Sequence, residues 1–378
     1  MPYITEINDI NKLESFKEQW EEFINKINIK NPFLTYSWIV TWWKYFGTQN
    51  QLAILLIRED NNILGIAPLM VKKTSFAGLP IIKVQFIGTG EANYLDFLST
   101  EFTRETIKCI LDYIKKKYKW NIIDLTDVVK TSLSLQIFSE KEVDSFASVI
   151  LETEICPYLT IQTDWVNFFH TRMKRKSRYN ILRQIKQLQS QGRLEFKMLT
   201  QADNWGSFIN RAIKLYQKDW NKKYNISSFL RDGYTDFYID IAQEFSKRGW
   251  FCFSYLLLNE EMIAFSYGIT YKNIFIDYLI GYDPKFSVFS PGGCLLRFQV
   301  EEIFTQNLKE FDFSKGREPY KSRWQTAERK NYRIIISNND FYSKLIWLLH
   351  ILYHRIRYTC KSSYTLRKLR KHLLGHFR

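Results

Sequence analysis

The chain has 378 residues, with 54 Lys and Arg against 39 Asp and Glu, 46% apolar residues and 17% aromatic ones. Such a length is a soft expectation of two domains, and the apolar content allows each a substantial core. Five scattered cysteines without a C-x-x-C pair argue against a disulfide framework or zinc site and for a reducing cytoplasm. Residues 1–11 show no charged-then-apolar leader, and no run of about 18 apolar residues is present to span a bilayer.

Taken in chain order, the pattern predicts an opening helix over Ile10 to Ile27, broken by Asn31-Pro32, and a Trp-rich helix over Tyr36 to Phe46. Leu52 to Ile57 and Ile63 to Val71 read as a strand, turn and strand, and Ile81 to Ile87 as a further strand. A helix over Thr103 to Tyr118 and a strand over Asn121 to Leu125 close the first unit. The second half repeats this order. A long helix is expected over Trp165 to Gln191, then helices over Ala202 to Tyr216 and Tyr234 to Arg248. Strands follow over Phe251 to Leu258, Met262 to Tyr271 and Ile274 to Gly281, then a helix over Leu295 to Leu308 and a strand over Glu310 to Ser314. The expectation is an α/β fold of mixed sheets in two tandem units, 1–150 and 151–340, followed by a basic helical tail over 341–378.

The excess positive charge is local. Arg172 to Arg193 holds eight basic residues and no acid, and Phe341 to Arg378 holds nine and no acid. The remainder carries 37 basic against 39 acidic residues, so the two segments own the net +15 and each implies an anionic partner. Along the first, Leu182, Ile185 and Leu188 suggest a packed face opposite a cationic one. Arg178 and Arg183 are then candidates to meet a ligand's phosphates. Along the second, Leu345, Leu349, Leu352 and Ile356 beside Lys344, Arg355 and Arg357 suggest an amphipathic helix. It suits an anionic membrane surface, nucleic acid, or solvent alone.

Four of the five histidines lie in the tail and only His170 in the core region, which disfavours a Ser-His-Asp hydrolase or a His-rich metal site. No Walker loop or H-E-x-x-H is present. Chemistry is left to carboxylates, tyrosine and lysine, without a metal.

Ser290-Pro291-Gly292-Gly293 combines an N-cap residue, a proline at the first helical position and two glycines that expose backbone N–H groups. With a strand before it and a helix after it, this suits a phosphate or pyrophosphate. An ordinary helix cap is the alternative. Beyond the helix, F-D-F-S-K-G-R-E-P-Y-K-S-R-W from Phe311 offers Asp312 as a base, Tyr320 as an acid and Lys321 as a phosphate-holding or carbonyl-polarising group for acyl transfer; the alternatives are a solvent-facing strand residue for Asp312 and structural roles for Tyr320 and Lys321. Asp277, Asp283 and Asp96 are weaker acid–base candidates.

Several segments together resemble the GNAT acetyltransferase superfamily, in particular its cellulose-biosynthesis-type (CelD/BcsL) branch. They are N-P-F-L-T-Y-S-W-I-V-T-W-W-K-Y-F-G from Asn31, I-L-G-I-A-P-L from Ile63, N-Y-L-D-F-L from Asn93, K-R-K-S-R-Y-N-I-L-R-Q-I from Lys174, Y-D-P-K-F from Tyr282, and the two stretches from Ser290 and Phe311. The resemblance implies two GNAT-like units and an N- or O-acyltransferase that uses acetyl-CoA or another acyl-CoA. The acceptor it implies is a sugar, a polysaccharide precursor or a lipid-linked glycan. It places the donor pyrophosphate at Ser290, Gly292, Gly293 and Cys294. The acceptor would meet Asp96, Arg178, Arg183, Asp283 and Trp324. Of the superfamily's loop pattern only Gly292 matches; Ser287 and Ser290 stand at its other key positions. The related FemABX transferases share the two-unit plan and use aminoacyl-tRNA, which is the rival reading. A non-catalytic membrane-associated assembly factor is a third. The expected location is the cytoplasm, or through the tail the inner membrane face.

Overall fold

The computed structural model describes residues 2–60, 62–99, 103–140, 146–202, 204–223 and 233–362. The chain forms two compact units, Met1–Glu154 with Lys330–Arg378, and Ile155–Arg329. The division differs from one at 150 and 340, because residues 330–340 and the described part of the tail pack with the first unit. The tail beyond Ser362 lies outside the described residues.

The first unit begins with β1 (Tyr3–Ile7), α1 (Ile10–Ser15), α2 (Lys17–Lys26) and α3 (Tyr36–Trp42). The single helix expected over 10–27 is divided at Phe16, and Asp9 caps its first part by accepting from Asn11 and Lys12 N–H. β2 (Gln51–Glu59), β3 (Asn62–Phe76) and β4 (Leu79–Phe86) form an antiparallel meander, and the short β5 (Leu98–Ser99) pairs with β3. α4 (Arg104–Lys117) is capped by the Thr103 hydroxyl and ends in three lysines, which complement the negative end of its dipole. It delivers the chain to β6 (Ile122–Val129), parallel to β4, and then to α5 (Leu133–Ser139).

β7 (Ser148–Thr160) carries the chain into the second unit. The long helix expected over 165–191 is broken there. α6 (Trp165–Asn167) runs into a single wide turn over Phe168–Arg172, and α7 (Arg175–Gln189) starts afresh. Ile181, Ile185 and Leu188 form the buried stripe of α7, whereas Leu182 is 42% exposed. The residues at i, i+4 and i+7 set the face, and Leu182 lies one residue off it. The unit continues through β8 (Leu194–Leu199), α8 (Trp205–Lys223), α9 (Tyr234–Ser246), β9 (Phe251–Leu258), β10 (Glu261–Tyr271), β11 (Ile274–Tyr282), α10 (Pro291–Thr305) and β12 (Glu310–Asp312).

Strand, helices, three-stranded meander, helix and parallel closing strand thus recur in both units. The second meander is pinned by two-residue turns, Asn259-Glu260 and Lys272-Asn273, all four residues having positive φ. Turns of this hand match the twist of antiparallel strands and fix their register. β13 (Ala327–Ser337) returns to the first unit and pairs with β6, and α11 (Phe341–Ser362) follows it.

Two cores result. In the second unit, Leu295, Leu296, Val300 and Ile303 of α10 pack with the α7 stripe, Phe275, Phe311 and Trp324. In the first, Ile346 of α11 is buried with Ile81, Ile122 and Ile335. The tail helix is therefore a structural part of the first unit along one face. Beside that contact, Asp124 is fully buried and receives both Nε (2.5 Å) and Nη2 (2.6 Å) of Arg333, with Lys83 at 3.5 Å. His350 stacks on Phe76 with both ring nitrogens buried and unbonded.

Candidate active site

β11 and β12 pair in parallel over three residues only: Ile274 with Glu310, Phe275 with Phe311 and Ile276 with Asp312. β12 ends there while β11 runs on to Tyr282, so residues 277–282 keep β10 on one side and, among the described residues, no strand on the other. A strand edge that runs on past its neighbour is the kind of place where an extended ligand can lie. Asp277 is the first β11 residue beyond the last pair, and Asp312 is the last residue of β12. The site is built at this fork.

Asp277 is buried and accepts from the Ser266 hydroxyl at 2.5 Å. Gln299 of α10 donates its Nε2 to Ser266 Oγ at 2.9 Å, so a polar chain links the helix to the carboxylate through an apolar core. Burial pushes the Asp277 carboxyl up to about 6, against the Ser266 bond and the Lys321 charge; the Asp312 charge adds to the rise. A carboxyl in that range is poised to take and return a proton near neutrality.

Asp312 is 1% exposed and otherwise committed. Its Oδ1 accepts Ser314 N–H at 2.7 Å and its Oδ2 faces Arg329 Nη1 at 3.4 Å. Arg329 also bonds Glu310 and lies over the Tyr158 ring, 3.9 Å from its centroid. Lys321 is buried; its ammonium donates to Lys315 O at 2.7 Å and pairs with Glu318 at 2.9 Å. It thereby closes the loop after β12 and holds positive charge toward Asp277. Tyr320 packs against the core, and burial, with the Asp277 and Glu318 charges, raises its phenol well above the ordinary value. It stays protonated at working pH and keeps a hydroxyl that can donate.

The start of α10 differs from the expected cap. Ser290 is left-handed (φ 51°, ψ 57°), so its hydroxyl makes no cap bond. Its carbonyl receives Gly293 N–H at 2.9 Å and Cys294 N–H at 3.0 Å. Pro291 has no N–H, which leaves the Gly292 N–H as the first-turn donor not turned onto Ser290. No acid occupies that turn, so the dipole end remains favourable to an anion. A left-handed non-glycine costs roughly 1–2 kcal/mol, the kind of strain that persists where geometry serves a site. The Cys294 thiol faces inward, bonds Phe289 O and is pushed up to about 12 by burial; only its backbone lies at the helix start.

Most of the remaining expected ligand residues are tied into their own surroundings. Arg178 Nη1 donates to the carbonyls of Phe169 (3.3 Å), His170 and Met173 (2.8 Å), closing the break before α7. Arg183 is exposed on α7. Asp283 caps the turn after β11 by accepting Lys285 N–H at 2.9 Å and pairs with Lys218 at 2.8 Å, which hold its carboxyl below the usual range despite burial. Trp324 is buried and stacks with Trp165, their centroids 6.4 Å apart. Asp96 belongs to the first unit and accepts from Ser134 Oγ (2.5 Å) and Phe97 N–H (2.9 Å). Lost hydration raises it to about 6 even though the Ser132 and Ser134 hydroxyls oppose the rise. Sequence reasoning passed over Ser266, Gln299 and Arg329. A glutamine inside the apolar stripe of α10 was the available signal for the first two.

Residues 175–322 match the family model described as "Acetyltransferase (GNAT) domain". The chain carries a GNAT acetyltransferase domain. It spans α7 to the loop holding Lys321, and so contains the whole fork, and it makes the protein an acyltransferase. GNAT domains use an acyl-CoA as co-substrate, and the first turn of α10 has the chemistry to receive its anionic part. No curated protein matches the chain. Among solved structures, FemX is similar at 11% identity with a TM-score of 0.56, over 83% of this chain and 95% of that one. A tandem GNAT protein from the clavulanic acid biosynthesis pathway is similar at 8% identity and TM-score 0.50, over 90% and 100%. So is a conserved protein of unknown function from Bacteroides thetaiotaomicron, at 14% and 0.50, over 89% and 100%. At such identities the likeness is one of fold: mixed α/β, shared with tandem GNAT chains. Among the described residues no group of His, Cys, Asp and Glu could hold a metal.

Proposed function

We propose that the protein transfers an acyl group from an acyl-CoA to an amine or hydroxyl of a sugar, polysaccharide precursor or lipid-linked glycan. That acceptor class follows the sequence resemblance to the cellulose-biosynthesis-type branch. The observation that carries the reading is the parting of β11 from β12 directly before α10, within the segment matched by the GNAT domain. The donor's pyrophosphate rests at the Gly292 N–H and the dipole end of α10, and its extended arm lies beside β11 at 277–282, where β12 has ended.

The acceptor's nitrogen or oxygen attacks the thioester carbonyl, the carbon–sulfur bond breaks, and the acceptor's proton passes to Asp277. The Tyr320 hydroxyl donates a hydrogen bond to the departing sulfur, and the proton that Asp277 took is then released to the thiolate or to solvent, which restores both side chains. Asp277 takes the base role in preference to Asp312 because the latter is held by Arg329 and Ser314. Lys321 fixes the loop and balances the Asp277 carboxylate before it takes the proton.

Thermal-shift titration tests the donor. Acetyl-CoA, a longer acyl-CoA or free CoA should raise the melting temperature saturably; no response to any of them removes the reading. A second reading is aminoacyl transfer from tRNA, favoured by the likeness to FemX and the exposed basic residues Lys174, Arg175, Lys176 and Arg183 of α7 and its approach. Salt-sensitive binding of charged tRNA, without a response to CoA, would select it.

A further inference from the structure

The inner face of α11 is fixed to the first unit. Ile346 and His350 are buried, Trp347 Nε1 donates to Ile335 O at 3.0 Å, and the Tyr342 hydroxyl donates to Pro80 O at 2.8 Å. A helix docked by one face ordinarily turns polar residues outward. This one turns out Phe341 (85% exposed), Leu345, Leu348 (57%), Leu352 (56%) and Ile356. At about 100° per residue these five fall within about 80° of one another. Lys344 and Arg355, both exposed, lie along one edge of that stripe. No helix among the described residues is long and apolar enough to cross a membrane.

We infer that the outer face of α11 seats the protein on an anionic lipid surface, the helix lying in the interface plane with its stripe in the acyl boundary. Charge complementarity selects this occupant. Residues 341–378 hold nine Lys and Arg and no acid, so an apolar phase bearing negative head groups satisfies both stripe and edge. A second copy using the same face would bring Lys344 and Arg355 against their own equivalents, with no acid in the segment to offset them. The inference is independent of the transferase reading, because vesicle binding needs neither donor nor acceptor.

The test uses the full chain and sedimentation with vesicles of phosphatidylcholine, alone or with about one third phosphatidylglycerol. The protein should sediment with the anionic vesicles, weakly with the neutral ones, and less as salt rises. Leu348→Glu with Leu352→Glu should lower partition by about tenfold or more. Its melting temperature should stay unchanged, since both side chains already face solvent. Wild-type protein that ignores anionic vesicles would overturn the inference. So would a double variant that binds them equally well, or a wild-type dimer that the same pair of substitutions dissociates without any vesicle binding.

Discussion

Asp277→Asn should make the protein more stable and less active at once. The carboxyl has no strong counter-ion in contact, and burial lifts it from 3.8 to about 6. Each unit of displacement is about 1.4 kcal/mol, so the ionised form costs the folded state about 3 kcal/mol at pH 7. Asparagine copies the protonated form in shape and can still accept the Ser266 hydroxyl. The variant should therefore gain about 3 kcal/mol in urea unfolding at pH 7. The sign follows from linkage. Between pH 6 and 3.8 the native state binds the extra proton, so the wild type recovers this stability on acidification. The gap should shrink to below about 1 kcal/mol near pH 4. Transfer, followed by thiol release from acetyl-CoA with an amine or hydroxyl acceptor, should fall by about two to four orders of magnitude. The low-pH limb of the wild-type rate, expected near pH 6, should disappear with it. A variant that transfers at the wild-type rate would remove Asp277 from the base role. A variant less stable at pH 7 would mean that Lys321 stabilises the carboxylate more than burial penalises it.

Other outcomes follow from the same geometry. Gly292→Asp adds a Cβ only 3.5 Å from Tyr282, an ordinary contact, and sets a negative charge where the donor's phosphates would lie; CoA affinity should drop about tenfold in calorimetry while the melting temperature holds. Asp124→Ala leaves Arg333 and Lys83 facing each other in a buried setting and should cost about 3–5 kcal/mol in denaturant unfolding. Burial holds both histidines down, His350 to about 3 with Lys83 and Arg333 nearby, and His354 to about 2 with Arg333 nearby. The unfolded state therefore takes up protons that the native state refuses below about pH 6.5, and stability should fall from there to pH 5 by up to about 2 kcal/mol per histidine. His350→Phe, tracked by melts across that range, should flatten the fall. Arg178→Met should lower stability through its three lost carbonyl bonds and leave donor affinity unchanged, which a phosphate-binding arginine would not do.

The elements that carry strong periodicity were legible from residues alone: the two meanders, α4, α9 and α10, and the repeated order of elements. The Ser290 to Trp324 stretch was legible as the place to look. What escaped were properties of pairing. β7 and β13 interleave charged and apolar residues, and only their partners make them strands. Arg178 looked like a phosphate ligand because its charge is visible in the sequence, whereas the carbonyls left by the break before α7 are not. Asp312 stood out through its motif, yet Arg329, seventeen residues on, occupies it; Asp277, in an apolar run, was legible only as a weaker acid–base candidate, and the parting of the strands is what sets it apart. Trp324 reads as a loop aromatic and is a core residue because Trp165 reaches it from the other end of the unit.

The first unit is made of two stretches of chain, with the entire second unit between them. β13 and α11 supply Ile335 and Ile346, with Tyr342, Trp347, Leu349 and Tyr353 packed against them, to a cluster whose other members all lie before residue 155. During synthesis the second unit is complete before the first can close, so the part of the chain that emerges first is the last to finish folding. Dividing the gene near codon 150 would not yield an autonomous amino-terminal domain. Joining residue 154 to residue 330 through a short linker should do so, and would release the GNAT domain as a separate piece.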